Sequence, residues 1–354
     1  MRSLFATALS LMLTALALGI HGADGAECPD PPSRDGVTAI CGIAAPEDLA
    51  LFEDRYLVVS SLAPAAHLFF VDVRDDSAGA LKTSLTAPSD GPRWGRESCE
   101  PPRLITSHGL DLSRDPDGRW RLLVVSHGER ETVEFFEVLP VRDAPPILQW
   151  RGCVETPSKA QFNDIVALPD GGYLATDPVG SRWQRSRTLL GMSGVKVGRV
   201  YRWRPDEGHE TVPNSATRYP NGIALAPSGD AFYVNAYLAN EVRRHDLATG
   251  EITGRVCVKK PDNSNWSLDG KLWVASHEAS VLELAAALGD APATRNTLSF
   301  AIVEIDPKDM SARQLFADDG SALGGGTAAV EAGGAMYIGA FRGDRLLRVE
   351  LAGD

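Results

Sequence analysis

One phrase recurs six times along this chain of 354 residues, and a repeat limits the possible folds more than any single motif. The segment from Glu47 reads EDLALFEDRYLVVSS, that from His108 HGLDLSRDPDGRWRLLVVSH, and that from Asn163 NDIVALPDGGYLATD. Three more copies follow: NGIALAPSGDAFYVNA from Asn221, DNSNWSLDGKLWVASH from Asp262 and GGGTAAVEAGGAMYIGA from Gly324. Each opens on polar or Gly-rich residues, runs through a short alternating apolar strand, turns at a signal such as Pro169-Asp170-Gly171 or Asp269-Gly270, and returns in a second apolar strand. That is a β-hairpin written six times. After most copies comes an outer strand of mixed polarity, as in HLFFVDV at 67–73, TVEFFEV at 132–138 and FAIVEIDP at 300–307.

Repeats of this length with three or four strands each predict an all-β fold, a six-bladed β-propeller whose sheets pack face to face around a central channel. A β-sandwich would need about seven strands and would leave six copies of one phrase unexplained. The only helical pattern lies around Ser280 to Leu288, in a loop.

The first five hairpin starts fall at 47, 108, 163, 221 and 262, separated by 61, 55, 58 and 41 residues, one blade each time. Equivalent positions in equivalent blades meet at one end of the channel, so these starts form a ring of side chains. The ring holds Glu47, Asn163, Asn221, Asp262 and Asn263, all oxygen donors with no Lys or Arg. Carboxylate and amide oxygens suit a hard cation such as calcium, whereas zinc or copper would call for His and Cys. Glu47 and Asp262 carry two negative charges, enough to neutralise one divalent ion. Asp48 and Asp164 each follow a ring residue, and in extended chain neighbouring side chains point to opposite sides. They are therefore expected to hold a second ion lower in the channel, helped by a backbone carbonyl of segment 108–111.

His108 opens the second hairpin and His127 closes it, so the two imidazoles are expected side by side at the channel mouth, one as general base and the other orienting it. His277 ends its hairpin in the same way without a partner at the start of its blade, and is expected to be structural.

Composition narrows the partners. Thirty-five Lys and Arg against 47 Asp and Glu leave a formal charge of −12, which disfavours nucleic acid and anionic membranes. Residues 1–26 combine a basic start, an apolar run from Leu4 to Ile20 and small residues at Gly22, Ala23, Gly25 and Ala26, the pattern of a secretory signal. The expected mature protein is a single propeller domain over 27–354, exported to the periplasm or medium without a stable membrane anchor. Five cysteines, at 28, 41, 99, 153 and 257, permit two disulfides and a spare thiol, and their spacing does not choose the pairs. Neither the oligomeric state nor the closure of the ring is legible here.

At these residues the chain resembles the paraoxonase and arylesterase family, within the wider group of calcium-dependent six-bladed propellers that includes the gluconolactonases. The resemblance runs from about Cys41 to Leu351 and rests on PEDLALF, SHGLDL, LLVVSHGERETVEFF, FNDIVALPDGGYLATD, YPNGIALAPSGDAFYV and DNSNWSLDGKLWVASH. It implies a catalytic calcium on Glu47, Asn163, Asn221, Asp262 and Asn263, and a structural calcium on Asp48, Asp164 and the carbonyl of Leu110. His108 and His127 match the family's histidine pair. The chain departs from the family in lacking a cysteine near Leu351, a hydrophobic anchoring helix and an active-site tyrosine near Ala63 and Pro64; the loop of 180–198, with Trp183, Leu189, Leu190 and Met192, is long. The implied activity is calcium-dependent hydrolysis of lactones and aryl esters as small-molecule substrates. The alternatives are a sugar-lactone hydrolase of gluconolactonase type on the same scaffold, a condensation of strictosidine-synthase type, and a non-enzymatic propeller in which calcium only locks the blades. No G-x-S-x-G or H-E-x-x-H motif competes.

Overall fold

A computed structural model of the chain describes residues 34–63, 67–87, 90–115, 117–157, 160–180, 184–280, 283 and 298–351. Six sheets, antiparallel except for one edge strand, are arranged in a ring, and each inner strand packs beside the inner strands of its two neighbours, the sixth beside the first. The expected six-bladed propeller is therefore the fold. In blade order the inner strands are Pro46–Phe52, Ser107–Arg114, Ile165–Ala167, Pro220–Leu225, Pro261–Trp266 and Gly326–Ala332. The middle strands of the hairpins, among them Tyr56–Ser61, Trp120–His127 and Leu272–His277, come next outward.

The middle strands read as nearly unbroken apolar runs because both faces of every blade are covered. In LLVV of blade 2, Leu122 and Val124 pack toward blade 1, while Leu123 and Val125 pack toward blade 3. Six hydrophobic clusters result, one in each gap between neighbouring blades. The core is thus a ring of interfaces, and no blade has a core of its own.

Each blade carries a fourth strand that the repeat does not announce, such as Ser77–Ala80 in blade 1 and Gly208–Thr211 in blade 3. In blade 2 a short parallel strand, Lys82–Ser84, is added to the edge as a fifth. Blade 6 takes its outermost strand from the other end of the chain, where Val37–Cys41 pairs antiparallel with Arg345–Glu350. That pairing is how the ring closes. Cys99 and Cys153 form a disulfide, Cys41 is disulfide-bonded too, and Cys257 is a free, exposed thiol.

The helical pattern at 280–288 falls mostly outside the described residues, as do the leader 1–26, Cys28 and Pro64. The long 180–198 segment, in contrast, contains a helix, Gln184–Met192. Among the described residues no helix is long and apolar enough to cross a membrane.

Candidate functional site

Every ring position coincides with an irregularity in its strand. In blades 1, 2, 4, 5 and 6 the pairing of inner and middle strands shifts register at Pro46/Leu49, Ser107/Leu110, Pro220/Ile223, Pro261/Ser264 and Gly326/Ala328. Blade 3 does the same by its hydrogen bonds: Asn163 N donates to Thr176 O at 2.9 Å, and Thr176 N donates to Asp164 O at 3.0 Å, so two residues oppose one. A β-bulge of this kind suspends the strict alternation of side chains and re-aims them. Strict alternation, used above to separate Glu47 from Asp48, therefore breaks down at these residues. The bulge also explains how the adjacent Asp262 and Asn263 both belong to the ring.

The blades fix the ring backbone in relay. The carbonyl of Asn163 accepts from Gly109 N of blade 2 at 3.0 Å, that of Asn221 from Thr176 Oγ1 of blade 3 at 2.5 Å, that of Asp262 from Asn235 Nδ2 of blade 4, and that of Glu47 from Thr327 Oγ1 of blade 6 at 2.6 Å. Gly109 is needed for this approach, since a β-carbon there would lie 2.5 Å from Asp164 Cα.

With the backbone held, the ring side chains are buried and incompletely satisfied. Asn263 Nδ2 donates to Glu47 Oε1 at 2.8 Å, and the Asn221 amide hydrogen-bonds Asp262. These donations leave Glu47 Oε2 and the Oδ1 atoms of Asn163, Asn221 and Asn263 buried without a partner. Buried oxygens are normally paired, and four orphans in one ring fit the binding of a Lewis acid with oxygen preference. Among the described residues no group of three or more His, Cys, Asp or Glu side chains is placed to hold an ion by itself. Three of the five expected donors are amides, so the fit rests on the mixed carboxylate and amide set.

Electrostatics agree. Burial, then the charges of Asp48 and Asp262, push Glu47 well above the usual carboxylate range. Burial raises Asp262 in the same way, although the Asn221 hydrogen bond opposes it. Burial lifts Asp48 to about 7, and burial followed by the Asp48 charge raises Asp164 well above its ordinary value. No Lys or Arg lines either cavity of the channel among the described residues to offset this charge.

Asp48 and Asp164 differ from the ring in that each of their carboxylate oxygens accepts one backbone hydrogen bond and keeps further lone pairs. Asp48 accepts from Leu49 N at 2.8 Å and, across the blade gap, from Leu110 N at 2.9 Å. Asp164 accepts from Ile165 N at 2.7 Å and from Ile223 N of blade 4 at 2.7 Å. Asp111, absent from the sequence expectations, likewise accepts from Ala167 N of blade 3 at 3.1 Å. All three carboxylates line a cavity of about 400 Å³ in the lower channel.

At the upper mouth His108 and His127 meet, with Nδ1 of the first 2.9 Å from Nε2 of the second. His127 Nδ1 lies 2.6 Å from Glu131 Oε2, and Gln161 Nε2 donates to the other oxygen of Glu131 at 2.9 Å. Burial alone would raise Glu131, yet the hydrogen bond from His127 brings it below its ordinary value. With Glu131 ionised, His127 donates to it from Nδ1, and the neutral form of His127 accepts from His108 Nδ1 at its Nε2. In that tautomer His108 Nε2 carries a lone pair, to which Asn163 Nδ2 is placed to donate at 3.4 Å, with Glu47 Oε1 3.6 Å away. Burial, then the neighbouring His127, holds His108 well below the ordinary imidazole value, so it is neutral.

His277 does have a partner, contrary to expectation. Its Nε2 is 3.5 Å from Asp262 Oδ2, and its Nδ1 is 2.8 Å from the Tyr237 hydroxyl. Burial lowers His277 to about 4. Glu131, Tyr237, Tyr219 and Thr327 are the site residues that the repeat did not reveal. Of these, Thr327 was legible in principle as the sixth copy's ring position.

Above the ring is a cavity of about 300 Å³ bounded by Glu47, His108, Asn163, Asn221, Asp262 and His277 below and by Leu62, Met192, Leu238 and Phe341 on its walls. Met192 and Thr188 bring the Gln184–Met192 helix over this mouth. Tyr219 and Tyr237 form one wall, their ring centroids 5.8 Å apart, and burial with the nearby Asp262 charge pushes Tyr219 up to about 12.

Residues 144–294 match the family model described as SMP-30/Gluconolactonase/LRE-like region. The adipocyte plasma membrane-associated protein of Bos taurus is 24% identical over 384 residues, spanning 96% of this chain and 90% of that protein. The serum paraoxonase/arylesterase 1 of Homo sapiens is 25% identical over 302 residues, spanning 80% of this chain and 78% of that protein. Among solved structures, a gluconolactonase from Xanthomonas campestris superposes with a TM-score of 0.53 at 16% identity, covering 92% of this chain and 96% of that one. These likenesses agree with the resemblance carried by the motifs: the chain is similar to part of the SMP-30/gluconolactonase/LRE-like family model and to a paraoxonase, and it shares the fold of a gluconolactonase.

Proposed function

We propose that this protein is a calcium-dependent hydrolase of lactones and of aryl esters. The observation that carries the reading is the buried His108 imidazole, its Nε2 turned toward Asn163 and Glu47, next to buried orphan oxygens on the floor of an apolar cavity of about 300 Å³. Glu47, Asn163, Asn221, Asp262 and Asn263 would hold the upper ion, and Asp48, Asp164 and the Leu110 carbonyl a lower one. When bound, the upper ion supplies Lewis-acid polarisation of the ester carbonyl. His108 takes the proton of the attacking water at Nε2, and the positive charge is stabilised through His127 by the Glu131 carboxylate. Leu62, Met192, Leu238 and Phe341 exclude water and favour a neutral ester with an apolar chain over a polyhydroxylated sugar lactone. The Cys99–Cys153 disulfide suits an exported protein, and the protein would act without nucleic-acid partner or membrane anchor.

The test is turnover of alkyl lactones, a sugar lactone and phenyl acetate, with calcium and with excess chelator. Hydrolysis of the alkyl lactones that chelator abolishes and calcium restores is the expected result. Full activity in chelator would remove the metal, and no turnover at saturating calcium would favour a binding propeller.

A further inference from the structure

One wall of the upper cavity carries a hydroxyl that has no partner among the described residues. Blades are numbered around a closed ring of six, so His108, at the start of blade 2, lies across the channel from blade 5. Tyr219 enters blade 4, two blades from His108, and Tyr237 leaves that blade's middle strand next to His277 of blade 5. Backbone hydrogen bonds from Tyr237 N to Tyr219 O at 3.0 Å and from Leu238 N to Arg218 O at 3.2 Å lock the two segments together. The Tyr237 hydroxyl is committed to His277 Nδ1 at 2.8 Å. The hydroxyl of Tyr219 makes no hydrogen bond among the described residues, is not shut away from the cavity, and belongs to a half-buried side chain lining it.

The fold does not require a phenol there. Tyr219 has a left-handed backbone with φ of 60°, and so do Ala45 and Lys260, which occupy the same place before Pro46-Glu47 and Pro261-Asp262 in blades 1 and 5. Ala45 shows that this turn is built without any polar side chain. A bulky residue in the left-handed region is unfavourable, and such positions persist where the surroundings over-determine them, often at functional sites.

We infer that Tyr219 contacts the substrate, donating a hydrogen bond to the leaving oxygen. This rests on the hydrolase reading above. Water adds to the acyl carbon and the bond from that carbon to the alkoxy oxygen breaks. The proton taken from water by His108 Nε2 finally resides on the product, and the Tyr219 O–H bond stays intact throughout. Base and donor line the same cavity from blades two apart in the ring, so the attacking and the departing oxygen can be served by separate groups. Such a donor matters most for a leaving group that carries its charge badly: the alkoxide of a lactone needs it, a phenolate hardly.

The experiment is Tyr219→Phe in the full-length protein, assayed at saturating calcium on a δ-lactone and on esters whose leaving groups run from alkoxide to nitrophenolate. A hydrogen bond to a developing charge corresponds to a loss of about 10- to 100-fold in kcat on the lactone. KM should change little, nitrophenyl ester turnover should fall several-fold less, and the dependence of rate on leaving-group pKa should steepen. An unchanged melting temperature keeps the comparison free of folding effects. Equal losses on all substrates, or none, overturn the assignment of Tyr219 while leaving the hydrolase reading intact. A wild-type protein that cleaves none of them overturns both.

Discussion

The two ends of the channel are built from neighbouring residues of the same repeat and have opposite characters. At the upper end Glu47, Asn163, Asn221 and Asn263 each keep a buried oxygen without a partner. One residue on, Asp48 and Asp164 spend both oxygens on backbone N–H groups, one in their own strand and one in the next blade. The upper ring is held by others so that its side chains stay open to a ligand; the lower carboxylates do the holding. One phrase in a repeat thus serves binding with one residue and assembly with the next, and the bulge between them makes the division possible.

Substitutions should separate the two ends. The largest effect is expected at the top, where Asn163→Ala or Asn221→Ala each removes an orphan oxygen and should lower kcat/KM by about 100-fold or more with a small change in melting temperature. Comparable losses of stability and activity would erase the division. Next comes Asp164→Ala, which strands the N–H groups of Ile165 and Ile223 and should cost about 2 kcal/mol or more of stability, with turnover per folded molecule at low temperature much less affected; chemical denaturation and assay of the same samples decide it.

A smaller effect distinguishes cation from no cation. Burial raises Glu47, Asp164 and Asp262 well above their ordinary values and Asp48 to about 7, so without an ion the folded state binds more protons than the unfolded chain between about pH 4 and 7. Stability of the chelated protein should therefore fall as pH rises through that window, and calcium should flatten or reverse the trend. Melting at pH 5 and pH 8, with chelator and with calcium, reads both. The smallest effect belongs to Glu131→Gln, which removes the carboxylate behind His127. Turnover should drop by about 10-fold. Because His108 is already held low by burial, the acid limb of the rate profile lies below the ordinary imidazole range, and losing the Glu131 charge should move it lower still.

What was legible in the chain follows from what repeats. Middle strands such as Tyr56–Ser61 declare themselves because both faces are buried, whereas outer strands such as Ser77–Ala80 and Gly208–Thr211 are short and largely solvent-facing, with no apolar pattern to read. The convergence of Glu47, Asn163, Asn221, Asp262 and Asn263 is legible from their blade spacing. The bulges are not, since a register shift depends on the partner strand. Glu131, Tyr219 and Tyr237 acquire meaning only through neighbours in space, and Thr327 hid because its copy was read from Gly324, three residues early, and carries a hydroxyl in place of an amide or carboxylate.

The strand Val37–Cys41, which closes blade 6 against Arg345–Glu350, gives the chain an awkward chronology. It is the first of the described strands to be synthesised and the last that can be seated, because its partner arrives about 300 residues later. Contacts of such long sequence separation are slow to form, and until then blade 6 keeps a bare edge that another chain can pair with. Nascent copies crowded together therefore face a choice between their own beginning and a neighbour's. Yield of refolded monomer should fall with concentration, and a synthetic peptide of this strand should compete for the same edge.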